Sequence, residues 1–191
     1  MFPSPFPLMV NPTPKEIIDY WFSARISQHW FSSVPELDDE IRDSYAMVWE
    51  KAAAGDLDGW AGDPNGSLAL IIILDQFPLN MFRGEAKCFS TESKAMDVAR
   101  HAIDRGFEER LPREQLAFLF MPFMHSERLE DQDLAVSLYR QYNLEANASF
   151  AEHHRKIVRR FGRFPHRNAI LGRESSAVEI SYLASDGAFK G

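Results

Sequence analysis

Hydrophobic positions recur along this chain mostly at spacings of three and four, the period of a helix face, and the polar residues between them supply starts and stops. Thr13-Pro14-Lys15-Glu16 combines an N-cap, a proline at the first helical position and a capping-box glutamate, and predicts a helix carrying Ile17, Ile18, Tyr20, Trp21 and Phe22. Ser33-Val34-Pro35-Glu36 repeats the signal ahead of Leu37, Ile41, Tyr45, Val48 and Ala52, and Gly55 reads as the stop. Ser90 is expected to cap a helix through Ala95, Val98, Ala99, Ala102 and Ile103 to Gly106. Pro112 opens another through Leu116, Leu119 and Phe120, and a further helix is expected over 127–142. The cleanest pattern covers 144–161, where Asn147, Phe150, Ala151, His154, Ile157, Val158 and Phe161 share one stripe. Ser176 and Glu179 form a last capping box before Ile180, Tyr182 and Leu183.

The apolar run 68–74 fits a buried strand or an all-round buried helix. With no second strand candidate to pair with it, the helix is the expectation. The chain therefore reads as all-α, about eight helices arranged as antiparallel hairpins. No 34-residue internal repeat is visible in the pattern itself. Pro3, Pro5 and Pro7 mark residues 1–12 as an N-terminal arm that does not resemble a secretory signal. Residues 13–185 are expected to form a single helical domain, with 186–191 as a flexible tail.

Composition narrows the class. At 191 residues and 45% hydrophobic content the chain can bury a substantial core, and the run 68–74 falls far short of the roughly 20 apolar residues that span a bilayer. The lone cysteine, Cys88, excludes an internal disulfide and fits a reducing cytoplasm, the expected location. A reactive thiol there would need a stabilising cationic setting, and Lys87 is the one cation beside it.

Charge changes the picture most. The formal net charge is −7, yet Arg155, Lys156, Arg159, Arg160, Arg163, Arg167 and Arg173 follow one another with no acidic residue between them. Without these seven, 14 basic residues face 28 acidic ones. A third of the cations gathered in one stretch creates a local positive field, the footprint of an anionic ligand or partner. Nucleic acid fits poorly, because core residues interrupt the basic stretch and the rest of the chain is acidic.

Candidate chemistry lies in three polar clusters. His154 points inward from its helix, either as a core histidine or as a ligand-facing imidazole able to titrate near neutral pH, whereas His153 should be solvated. Gly162 ends that helix, and Arg163, His166, Arg167 and Asn168 then offer many donors in a few residues, with Phe164 and Pro165 pinning the loop. Arginine forks suit a carboxylate or phosphate; equally, these arginines can pair with the acidic surplus of the chain itself. In the second cluster Asp75 and Gln76 close the apolar run and require partners, followed by Asn80 and Arg83. The third joins His125, Ser126 and Glu127 to Asp131 and Gln132, with Ser126 readable as a plain N-cap. His125, Glu127, Asp131, His154 and His166 are suitable metal-ligand types, but no spacing matches a strong metal motif, and neither a Gly-rich phosphate loop nor a Gly-x-Ser-x-Gly elbow is present. No metal or cofactor is expected.

The segments 74–78 and 80–84, Met124-His125-Ser126-Glu127, and 161–168 with Leu171-Gly172-Arg173 resemble the bacterial domain-of-unknown-function family DUF924. The resemblance covers roughly residues 14–184 and implies a tetratricopeptide-like helical fold; it implies no activity. One departure is Leu79, where the family pattern would have arginine. If that arginine meets an anion in other members, Leu79 implies a different affinity or ligand here.

Three functions are consistent with these residues. The first is a binding protein whose Arg/His-lined pocket holds a small anion or an acidic peptide end, with Arg83, Arg163 and Arg167 as cationic contacts and Arg173 nearby. The second is a hydrolase-like or other acid/base enzyme, in which His154 or His125 acts as base, Glu127 or Asp75 orients it, and Arg167 with Asn168 stabilises developing charge. The third is an interaction module in which the motifs only lock helices together. The oligomeric state is not legible in the sequence.

Overall fold

Thr13 Oγ1 accepts the Glu16 N–H while Glu16 accepts the Thr13 N–H at 2.7 Å, and this reciprocal cap starts α1 (Pro14–Trp21) in the computed structural model, which describes residues 7–190. A short α2 (Ala24–Ser27) follows, capped by Ser23. Helix α3 (Pro35–Ala54) starts from Val34 without a side-chain cap, so the Ser33 signal goes unused, and it ends as expected at Gly55 with φ 97°. The apolar run is helical, but not as one regular helix. It comprises α4 (Pro64–Ile71), one π-helical turn (Ile72–Gln76) and α5 (Phe77–Met81), with every residue of 68–74 at 0% exposure. Gly66 is obligatory near its start, since a Cβ would stand 1.9 Å from the Trp60 carbonyl oxygen.

Pro78 has no N–H to give to the Leu74 carbonyl one turn earlier. Thr91 Oγ1 donates to that carbonyl at 2.6 Å, and Trp49 Nε1 donates to Thr91 Oγ1 at 3.1 Å. This explains why α6 (Glu92–Asp104) lacks the Ser90 cap expected of it: Thr91 is its N-cap residue, with its hydroxyl committed to Leu74. After α7 (Arg113–Leu119) and α8 (Met121–His125), α9 (Leu129–Gln141) begins two residues later than expected. Ser126 Oγ accepts the Arg128 N–H and donates to Asp131, which sets the turn, while Glu127 faces other partners. Helix α10 (Glu145–Phe161) stops at Gly162 with φ 71°, and the Ser176/Glu179 capping box starts α11 (Ala177–Leu183). Eight of these helices have seven residues or more, and no strand occurs among the described residues, so the fold is all-α.

Within the span expected as one domain the chain forms two compact units. The first comprises residues through Arg83 together with Lys87–Pro122. Around the run 68–74 it buries Trp21, Phe77 and Phe118, with Phe118 4.6 Å from Trp30 and 5.6 Å from Trp21. Of the N-terminal arm, residues 1–6 lie outside the described residues; Met9 N–H donates to Ser44 and Lys51 Nζ donates to Val10 and Asn11, which fastens the remainder to α3.

The second unit comprises Gly84–Ala86 and the chain from Phe123 onward. A three-residue turn pairs α9 with α10, and Ile157, Val158 and Phe164 form a core on which Phe161, Tyr182 and Phe189 pack. Full burial of Phe164 contributes about 2–3 kcal/mol. The inward stripe of α10 is narrower than its pattern suggests: Ala148, Ala151, His154, Ile157 and Val158 are buried, whereas Phe150 stands 61% exposed at its edge. No helix among the described residues is long and apolar enough to cross a membrane.

Candidate functional site

The site residues read from the sequence fall into separate units. Asp75, Gln76, Asn80 and Arg83 belong to the first, where the π turn and α5 place them. Asp75 and Gln76 are buried and joined by a 2.5 Å hydrogen bond from Gln76 Nε2. Asn80 Nδ2 donates to the Gln76 carbonyl, and its Oδ1 accepts from Arg83 at 3.2 Å. Arg83 forks onto Asp38 at 2.6 and 2.9 Å. Its charge already faces a carboxylate.

His125, Glu127, His154, Arg163, His166, Arg167, Asn168 and Arg173 belong to the second unit. Arg173 forks onto Glu127 at 2.7 and 2.9 Å, Glu127 also accepts the Phe164 N–H at 2.8 Å, and Arg173 donates to the Phe164 carbonyl at 3.2 Å. Burial pushes the Glu127 carboxyl up, but Arg173 and the Phe164 N–H together outweigh it and hold the group below the usual carboxylate range. The pair thus fixes the backbone of Phe164 from both sides. Arg163 forks onto Glu179 at 2.7 and 2.9 Å, and Asn168 Nδ2 donates to Ser175 and to Glu179. The Arg163 fork and the Ser176 N–H hold Glu179 well below the usual carboxylate range. In the sequence Glu179 stands out only as a capping-box residue; its second role depends on the chain returning to Arg163.

Beside these locks, four aromatic rings close on one another. His154 lies 5.4 Å from Phe164, Phe164 5.6 Å from His166, His166 5.0 Å from Phe189 and Phe189 4.5 Å from His154, centroid to centroid. Imidazole and phenyl alternate around this circuit. His154 Nδ1 is 2.8 Å from the Phe150 carbonyl oxygen, which only an N–H can satisfy, so the neutral ring keeps its lone pair on Nε2. Burial lowers His154 to about 4, helped by the charges of His125, His153 and His166 and opposed by the Phe150 hydrogen bond. Burial also lowers His166 to about 4; Arg167 and Arg173 push it in the same direction and Glu127 opposes them. His166 Nδ1 is buried without a hydrogen-bond partner, and the buried Arg167 guanidinium stacks 4.8 Å above the Phe164 ring.

The cluster therefore offers an imidazole acceptor, an unsatisfied imidazole nitrogen and a buried cation, all beside aromatic walls. Among the described residues no three His, Cys, Asp or Glu side chains form a group able to hold a metal ion. Phe189 was not legible as part of this cluster, because nothing in local periodicity returns residue 189 to α10.

A family model described as a bacterial protein of unknown function (DUF924) matches residues 17–187. The solved structure of a protein of unknown function from Agrobacterium tumefaciens is similar to this chain at 38% identity and a TM-score of 0.85, covering 90% of this chain and 96% of that one. No curated protein matches the chain.

Proposed function

The chain belongs to DUF924, a bacterial family of unknown function, so its role has to be argued from its own side chains, and we propose that it is a binding protein whose second unit receives a small anion, or the acidic end of a peptide, at His125, His154, His166 and Arg167. The observation that carries this reading is the buried, partnerless Nδ1 of His166 in a setting where Arg167 and Arg173 disfavour its protonation. A buried polar atom without a partner costs about 1–3 kcal/mol, and a ligand oxygen would relieve that cost. An anion also reverses the local repulsion, so binding raises the affinity of His166 for a proton and turns Nδ1 into a donor.

This differs from the cation set first expected. Arg83, Arg163 and Arg173 hold carboxylates of the chain itself, so the contacts favoured here centre on His166, with His125, His154 and Arg167 around it. Catalysis is the less supported reading, because Glu127, the natural partner for an imidazole base, directs its hydrogen bonds to Phe164 and Arg173. We read the helical hairpins as a tetratricopeptide-like scaffold, the partner as neither nucleic acid nor membrane, and the buried Cys88 as consistent with the cytoplasm.

Thermal unfolding across phosphate, sulfate and carboxylates tests the proposal. A ligand at a hundred times its Kd adds about 2.7 kcal/mol, several degrees for a chain of this size. The expected result is a selective rise with an anion that disappears in His166→Gln; no rise with any of them contradicts the reading.

A further inference from the structure

Phe164 and Phe189 both stand between His154 and His166, but they are held very differently. Phe164 is fully buried, and its N–H and carbonyl are fixed by Glu127 and Arg173. Phe189 is half-buried, follows four exposed residues after α11, and donates its N–H to Tyr182 Oη at 3.0 Å. One ring is framework, and the other is an occupant delivered on a surface segment.

We propose that the slot between His154 and His166, floored by Phe164, is a binding site for an aromatic ring bearing a carboxylate, and that Phe189 fills it from within the same chain until such a ligand displaces it. The ring preference follows from the walls. Phe189 meets His154 and His166 at interplanar angles of 63° and 79°, edge-to-face contacts that any planar ring of this size can reproduce. The carboxylate preference follows from His166 Nδ1, buried without a hydrogen-bond partner, and from the positive charge of Arg167 stacked on Phe164. Phe189 supplies the ring and leaves the Nδ1 atom of His166 without a partner; an aromatic acid supplies both. The inference rests on the anion-site reading and adds which anion is preferred and what limits its access.

Titrating the full chain and Phe189→Ala with phenylacetate and with acetate, while following the imidazole NMR signals of His154 and His166, tests it. Freeing a slot that is otherwise occupied raises apparent affinity by the inverse of the fraction formerly open, so a slot open a tenth of the time gains about tenfold. Phe189→Ala is expected to bind phenylacetate about tenfold or more tightly than the native chain, with little gain for acetate and with both histidines shifting. Tyr182→Phe, which keeps the ring but removes the anchoring hydrogen bond, should show a smaller gain in the same direction. Equal phenylacetate affinity in the native and Phe189→Ala chains overturns the slot, as does an equal gain for both acids. If both proteins bind acetate at these histidines without preference for the ring, the anion site stands and the slot falls; if neither protein binds either acid, both fall.

Discussion

The segments 74–84 and 161–173 carry the same kinds of residue, Phe-Pro followed by asparagine and arginine, yet they end in different states. In the first, each named polar group has a role in the helices themselves: Arg83 on Asp38, Asn80 between Arg83 and the Gln76 carbonyl, Thr91 on the carbonyl that Pro78 leaves free. In the second, Arg163 and Arg173 are committed in the same way, but a His166 nitrogen stays unsatisfied beside a buried Arg167 and a neutral His154. Similar motifs therefore do not imply similar roles. What separates the two segments is whether polar capacity remains after the internal pairs have formed.

The contrast breaks most visibly at the carboxylates. Glu179 is buried and serves Arg163, Asn168 and the α11 cap at once, whereas Asp38 serves an arginine whose side chain is 43% exposed. Glu179→Ala should cost about 3 kcal/mol, discounted from a fully enclosed pair because Arg163 reaches solvent, and Asp38→Ala about 1 kcal/mol. Denaturant midpoints measure both, and equal losses would remove the distinction. Thr91→Val should cost about 2 kcal/mol, since it leaves the Leu74 carbonyl and Trp49 Nε1 without partners in the core of the first unit. A loss below about 0.5 kcal/mol would mean that Pro78 imposes no requirement on Thr91.

A further contrast concerns pH. His154 and His166 stay neutral down to about 4 in the fold, whereas an unfolded histidine titrates near 6.5. Between those values the unfolded chain binds more protons, so the fold loses stability as pH falls through that window. Glu127 and Glu179, lowered in the fold, add stability that is present above the unfolded carboxylate value and is lost at lower pH still. His154→Gln should flatten the fall in Tm between pH 6.5 and 4 while leaving the more acidic limb in place. An unchanged slope would contradict a neutral, buried His154.

Local signals carried much of the fold. The caps at Thr13 and Ser176, the stops at Gly55 and Gly162 and the inward turn of His154 all follow from residues within one or two turns of each other. What escaped sequence reasoning depends on distant partners. The π turn at 72–76 is indistinguishable from α-helix in an unbroken apolar run, and Thr91 displaces the Ser90 cap because of a proline 13 residues earlier. Phe150 was placed on the core stripe by period alone, but the buried face of α10 is too narrow to include it. In the candidate site the residue types were legible, while the identity of each arginine's carboxylate was not: Asp38 is 45 residues from Arg83, Glu127 46 from Arg173 and Glu179 16 from Arg163.

The central claim is that the histidine and arginine cluster of the second unit accepts an anion. Following the His166 imidazole signals by NMR through a pH titration, with and without phosphate, tests it most directly. The account predicts that phosphate raises the pKa of His166 from about 4 toward neutrality, and that Arg167→Gln abolishes the rise. A His166 titration that phosphate leaves unmoved in the native chain would contradict it.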